Sequence, residues 1–209
     1  MSLLHQNSSN INFNEDLNEF LKDNDTLKNY NLNNIILTNT SCEQLEITNC
    51  NLEHITFNNC NFQKSYFLNC MFKNCDLSYS FLQRSTLKNS IFVNCKMLET
   101  NLESSYIQNC DFLNCNLKNS ILSGSNISNC NIQDSTLKFA NISNVQLKRV
   151  LFEKTDLSSC DLSNTKLRNI DLSNSIIEQI TIFPEDIKGC TLNEYQALDF
   201  IKLLGINIR

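Results

Sequence analysis

Eleven cysteines and two histidines are the residues of this chain whose types best suit chemistry. Thiolates and imidazoles at short, fixed spacing would hold zinc, and paired cysteines would form disulfides. A thiol or hydroxyl beside an imidazole would be a nucleophile. The spacing supports none of these. There is no CxxC, and His5 and His54 are not spaced as ligands. No Gly-rich phosphate loop, paired histidines or plausible Ser/His/Asp arrangement is visible either. Ten cysteines sit instead at positions divisible by five: Cys50, Cys60, Cys70, Cys75, Cys95, Cys110, Cys115, Cys130, Cys160 and Cys190. A buried free cysteine behaves as a small hydrophobe, so these thiols read as core packing. No catalytic residue, cofactor or metal is assigned, and the expectation is a protein that is not an enzyme.

The element that must position these thiols is a repeat. Every fifth residue from Leu32 to Ile182 is apolar, thirty-one positions without exception in a chain that is 41% apolar. Helical period is 3.6 and strand period is 2, so a strict five fits neither. A short period kept this long means a solenoid whose stacked units bury one continuous core. Cys42 occupies this large series. Two residues before each large centre lies a small one: Cys50, Cys60, Ser65, Cys70, Cys75, Ser80, Ser85. An extended backbone points both to the same side, so each five supplies one large and one small inward residue. The other three positions are mostly Asn, Asp, Ser, Lys, Glu and Gln and face water.

A longer period sets the size of a coil. Phe72, Phe92, Phe112 and Phe152 form a series of centres at multiples of 20, interrupted by Ile132, and Cys75, Cys95 and Cys115 are also 20 apart. Like residues stack when they lie above one another, so four fives make one coil with four flat faces. About eight coils at ~4.8 Å follow. Phe57, Phe62, Phe67 and Phe72 then make one complete coil of Phe, read as core stacking. Stacked thiols such as Cys75 and Cys95 have parallel Cβ vectors ~4.8 Å apart, a poor fit to a disulfide. Asn49, Asn59, Asn69, Asn74, Asn94, Asn109, Asn114 and Asn129 each follow a centre by two, in a chain with only three Gly. Asn tolerates left-handed backbone, so Asn is expected to turn the corners and to form ladders between coils.

Units such as Cys-Asp-Leu-Ser-Tyr (75–79), Ser-Asn-Ile-Ser-Asn (125–129) and Cys-Asp-Leu-Ser-Asn (160–164) resemble the pentapeptide-repeat family. The resemblance covers about three quarters of the chain. It implies an all-β solenoid, a right-handed quadrilateral β-helix, with hand and square section supplied by the family. It implies much less about function, because a repeat scaffold carries many surfaces.

Three segments are expected: 1–29 as an N-terminal cap with mobile residues 1–12, 30–183 as the β-helix, and 184–209 as a C-terminal helix and dimerisation segment. Residues 14–21 suit a short helix with Asn14 as N-cap and Leu17, Phe20 and Leu21 at i, i+3, i+4; a degenerate first coil is the alternative. After Phe183-Pro184 the period stops, and Thr191-Leu192-Asn193-Glu194 reads as a T-x-x-E capping box. The helix it opens is stopped by Gly205. Its apolar residues exceed one stripe. One face covers the last coil, and a second face with Tyr195, Leu198, Ile201, Leu204, Ile206 and Ile208 is expected to pair with a second copy about a two-fold axis; pure capping is the alternative.

Charge bears on partners. Residues 30–182 carry 12 Lys and Arg against 13 Asp and Glu, and residues 61–100 are net +3. No apolar run approaches 18 residues, and the start lacks a basic region followed by an apolar core. Cytoplasm, no membrane and no direct nucleic-acid contact are therefore expected. Met71, Ile91, Val93 and Leu113 flank the Phe72–Phe92–Phe112 centres and should emerge together, a candidate patch for a protein partner. The leading expectation is a non-enzymatic, dimeric rod that binds a protein. The ending Leu203-Leu204-Gly205-Ile206 resembles the quinolone-resistance branch of the family, which implies the alternative of a DNA mimic that binds a type II topoisomerase. Such mimicry needs a dense anionic surface, which a rod of net charge −1 lacks.

Overall fold

The computed structural model of the chain describes Leu17, Phe20, Leu21 and residues 25–203. Residue i pairs with residue i+20 in parallel throughout, so one coil is four fives. On the first face the ladder runs through Thr26, Glu46, Tyr66, Thr86, Tyr106, Asn126 and Gln146, which is six inter-coil steps. The second face follows from Asn31 to Leu151 in the same register. The third and fourth faces are linked by single bridges, and the third has eight rungs from Ile36 to Ile176. The chain is a four-faced parallel β-solenoid, as the 20-residue period requires.

The large centres are buried along its whole length, with Leu147 and Ile182 only half-buried. Phe57, Phe62, Phe67 and Phe72 meet edge to face at 5.4, 5.7 and 5.9 Å between centroids. Along the axis Phe72, Phe92 and Phe112 lie parallel at 4.7 and 4.9 Å, which is the inter-strand spacing. The interior is therefore filled by side chains.

The small sites do more than fit. Ser85 Oγ donates to the Phe62 carbonyl at 2.8 Å and accepts the Ser65 N–H at 3.1 Å. Ser125 does the same with Leu102 and Ser105, and Thr165 with Ile142 and Val145. Cysteines reproduce the donor half: Cys60, Cys70 and Cys75 Sγ donate to Leu37, Ile47 and Leu52 carbonyls at 3.2, 3.2 and 3.3 Å. Backbone groups at the inner corners are thereby partnered by the preceding or following coil.

From Asn29 to Gly189 the residue two after a centre is left-handed at every corner except Asn174 and Pro184: 29 non-glycine residues have φ between +47° and +64°, and 16 of them are Asn. On the corner after the first face, Asn29, Asn49, Asn69, Asn89, Asn109 and Asn129 form an amide ladder with bonds of 2.9–3.1 Å. The corner geometry is imposed by the coil and not by Asn alone, because His54, Tyr79 and Phe139 adopt it too.

A second local device recurs on the third and fourth faces. On the third and fourth faces the residue before the centre is often Asn or Asp, and its carboxyl or amide oxygen accepts the N–H two residues on. Asn61, Asp76, Asn101, Asn116 and Asp156 do so to Gln63, Ser78, Glu103, Lys118 and Ser158. Such Asx turns compete with extended pairing. Asn or Asp at this position does not decide the matter alone, because Asn31, Asn51, Asp111 and Asn131 on the second face lie in strands.

Leu17, Phe20 and Leu21 are helical, with Leu17 buried and the Phe20 ring edge-on to Tyr30 at 6.2 Å. Asn14 and residues 1–12 lie outside the described residues. At the other end, bonds between coils continue past Pro184 as far as Thr191. The expected T-x-x-E box is not formed. Thr191 is paired with Asp171 in the ladder and its N–H is held by the Ile170 carbonyl, so its backbone is extended and cannot open a helix. The helix spans Glu194–Leu203 and its cap is Asn193: Gln196 N–H donates to Asn193 Oδ1 at 3.0 Å, and Asn193 N–H to Gln196 Oε1 at 2.8 Å. Gln196 Nε2 also donates to the Leu172 and Ser175 carbonyls at 2.8 and 2.7 Å, so one side chain caps both the helix and the last coil.

Candidate interaction faces

The second face brings the four patch residues together. Met71 pairs with Ile91 in one outward column, and Val93 with Leu113 in the other. Side chains in one column stack at the strand spacing and cover one another, which is why all four are half-buried. Polar neighbours bracket them: Asn51 and Asp111 end the first column, Lys73 and Gln133 the second. Lys73 Nζ lies 2.7 Å from Glu53 Oε1 and holds that carboxyl below its ordinary pKa by donating to it. His54 lies on the corner, 3.8 Å from the same carboxylate.

The C-terminal helix has two unlike sides. Gln196 and Phe200 are buried against the last coil, whereas Tyr195 is 82% and Leu198 43% exposed. Ile201 is half-buried, and Leu204, Ile206 and Ile208 lie outside the described residues. Between the helix and the last coil runs a groove of about 540 Å³ lined by Ile176, Ile177, Gln179, Tyr195 and Phe200 among others. An apolar helix face therefore does remain after the coil is covered.

The pentapeptide repeat region model matches residues 65–142, and the model of eight pentapeptide repeats matches 135–174, so the two together span more than half of the chain. The chain belongs to the pentapeptide-repeat family. Its fold is the right-handed quadrilateral β-helix of that family. No curated protein sequence matches it. Among solved structures, full-length QnrB1, a plasmid-mediated fluoroquinolone resistance protein, is 17% identical over 84% of this chain and 100% of its own, with a TM-score of 0.45. HetL, a pentapeptide-repeat protein involved in heterocyst differentiation regulation in Nostoc, is 15% identical over 85% of this chain and 95% of its own, at 0.32. Rfr23 from Cyanothece is 13% identical over 84% and 96%, at 0.28. At such identity and overlap the likeness carries no function across. Family members are generally structural scaffolds without catalytic activity.

In this pentapeptide-repeat protein the cysteines are free, and all but the half-buried Cys190 are enclosed. Burial pushes the Cys42 and Cys160 thiols from the ordinary 9.0 up to about 12. Among the described residues no three His, Cys, Asp or Glu side chains converge as metal ligands. Two features escaped the sequence reading. The hydrogen-bonding role of the small sites was signalled by their being Ser, Thr or Cys at every fifth residue from Cys60 to Ser135. The exposed Tyr66 and Tyr106 on the first face, at 50% and 59%, fall in ordinary outward register, and nothing in the repeat distinguishes them.

Proposed function

We propose that this pentapeptide-repeat protein is a non-catalytic scaffold that binds a protein partner on its second face and pairs with a second copy through its C-terminal helix. The observation that carries the reading is the in-register Met71–Ile91 and Val93–Leu113 stack, an apolar island on a face whose other outward residues are polar or charged over the same coils. Exposed apolar islands on soluble rods favour association. The pairing half is supported by Tyr195 and Leu198 standing clear of the last coil. An Ile91→Asp/Leu113→Asp variant should keep its circular dichroism and melting temperature while losing the partners that wild type retains in a pull-down. Retention of every partner by the variant would refute the patch. Tyr195→Asp/Leu198→Asp should halve the mass seen by light scattering; an unchanged mass removes pairing through this face.

The alternative is a topoisomerase-binding DNA mimic giving quinolone tolerance. Rod shape and an apolar C-terminal helix favour it, and the near-neutral surface opposes it. A gyrase supercoiling assay decides: neither inhibition nor protection from quinolone at micromolar protein leaves the scaffold reading standing.

A further inference from the structure

Three groups of stacked thiols lie inside the rod. Cys75, Cys95 and Cys115 occupy one inner column of three successive coils, none more than 2% exposed, beside the paired residues Asp76, Lys96 and Asn116. Ile55 ends this column on one side and Ser135 on the other. A second inner column holds Cys50 with Cys70 and Cys110 with Cys130, separated by Ser90. In the first column each thiol donates to a carbonyl of the coil before it, Leu52, Phe72 or Phe92, at 3.3, 3.5 and 3.4 Å. Each sulfur also faces the backbone N–H of the residue 20 before it, Ile55, Cys75 or Cys95. The thiols sense one another: Cys95 lowers the pKa of Cys75 and of Cys115, and they raise its own.

Strand pairing fixes the repeat of such a column at ~4.8 Å. That is far longer than a direct bond between two sulfurs, about 2.0 Å. It is close to the span of a metal ion held in line between two thiolates, because a metal–thiolate bond is about 2.3 Å and two of them cover about 4.6 Å. Parallel side chains also set that bridge across the end of each Cβ–Sγ bond, where the sulfur lone pairs lie. Soft d10 cations prefer sulfur and accept two ligands in line. Zinc requires four, and among the described residues no three ligating side chains converge. Charge separates the soft cations. Hg(II) breaks two S–H bonds, forms two S–Hg bonds and sends two protons to water, leaving a neutral bridge. Cu(I) in the same exchange leaves one negative charge in an apolar core, which is costly and is offset in part by the facing N–H groups. The S–H donors given up are weak ones.

We infer that each group of stacked thiols binds one thiophilic d10 cation in two-coordinate form: Cys95 with one of its neighbours, Cys50 with Cys70, and Cys110 with Cys130. Each ion ties two coils together through side chains as well as backbone. Cys160 lies between Ala140 and Ile180 in its own column and has no thiol above or below it, so it stays outside these sites. The inference concerns the interior and does not rest on the scaffold reading. A rod without metal can bind a partner, and a rod with metal can fail to.

The test titrates the full, reduced chain under native conditions with Hg(II), and with Cu(I) in a second arm. Sulfur-to-metal charge-transfer absorption should rise to an end point of one Hg(II) for each of the three groups, and the melting temperature should rise with it. X-ray absorption should show two sulfurs on each ion. Cys95→Ser should remove one ion in three with its circular dichroism unchanged, because Ser fills the same site at Ser135. Cys160→Ser should remove none. Cu(I) should show the same dependence on Cys95, and Zn(II) should not bind. No binding to the folded chain, equal loss from Cys160→Ser, three or four sulfurs per ion, or an end point that follows the total number of cysteines would each overturn the inference. So would Zn(II) held as tightly as Cu(I).

Discussion

Ser85 holds two backbone groups of the preceding coil at once, accepting from Ser65 and donating to Phe62 while wholly buried. Ser85→Ala removes both bonds but leaves the Ser65 N–H on the Phe62 carbonyl at 3.1 Å, so it should cost about 1 kcal/mol in urea unfolding. Ser85→Cys keeps the donor and should cost less, as the neighbouring cysteine sites imply. Tyr79 presents the opposite case. It sits at φ +62° with no Gly or Asn freedom, so Tyr79→Gly should stabilise by about 1 kcal/mol; a lower melting temperature would show that its ring is held by a favourable contact. Thiol protonation sets the alkaline limit. Folded Cys42 and Cys160 keep protons up to about pH 12 that the unfolded chain releases near 9. Their contribution is full below pH 9 and is lost as pH rises from there towards 12. Replacing both by Ala should flatten the fall of melting temperature over that window, whatever it does to stability at neutral pH.

At the scale of elements, the two ends differ in how the open coil is closed. The C-terminal closure centres on two side chains: Gln196 bonds the Asn193 N–H and two carbonyls of the last coil, and Asn193 caps the helix and takes the Ser173 carbonyl. Gln196→Ala should cost about 2 kcal/mol and raise amide exchange in the helix and at residues 172–176 before the rest of the rod. Exchange that rises evenly along the chain would mean the end is not a separate unit. The helix was legible in the sequence from its apolar residues, but its start was not. Thr191-x-x-Glu194 and Asn193-x-x-Gln196 both have capping chemistry, and only the pairing of Thr191 with Asp171 selects the second. The strand faces were equally hidden, since the five-residue pattern is the same on all four and Asn or Asp precedes centres on strand faces and bridge faces alike.

For the whole molecule, regularity is what makes the surface readable. Outward side chains fall into columns at fixed spacing, so an apolar or basic cluster in one column is a property of residues 20 apart. Met71 with Ile91 and Val93 with Leu113 could be placed together on that basis alone. If two copies join through the C-terminal helices, small-angle scattering should give a particle roughly twice the length of one rod, on the order of 70 Å at ~4.8 Å per coil. A Tyr195→Asp/Leu198→Asp variant should give half that length with an unchanged cross-section.

The chain alone determined the length of the coil, because one large and one small inward residue every five positions, with like residues 20 apart, stack in register only as four fives per turn; its hand came with the family. It also determined the fate of the cysteines and the left-handed corners, which follow from that register. What only the tertiary structure decided is how the coil ends: which residue caps the last coil, where the strand ladder stops, and which half of the C-terminal helix faces outward. These depend on competition between backbone partners that are far apart in sequence and alike in local chemistry, and only their distances in the folded chain choose between them.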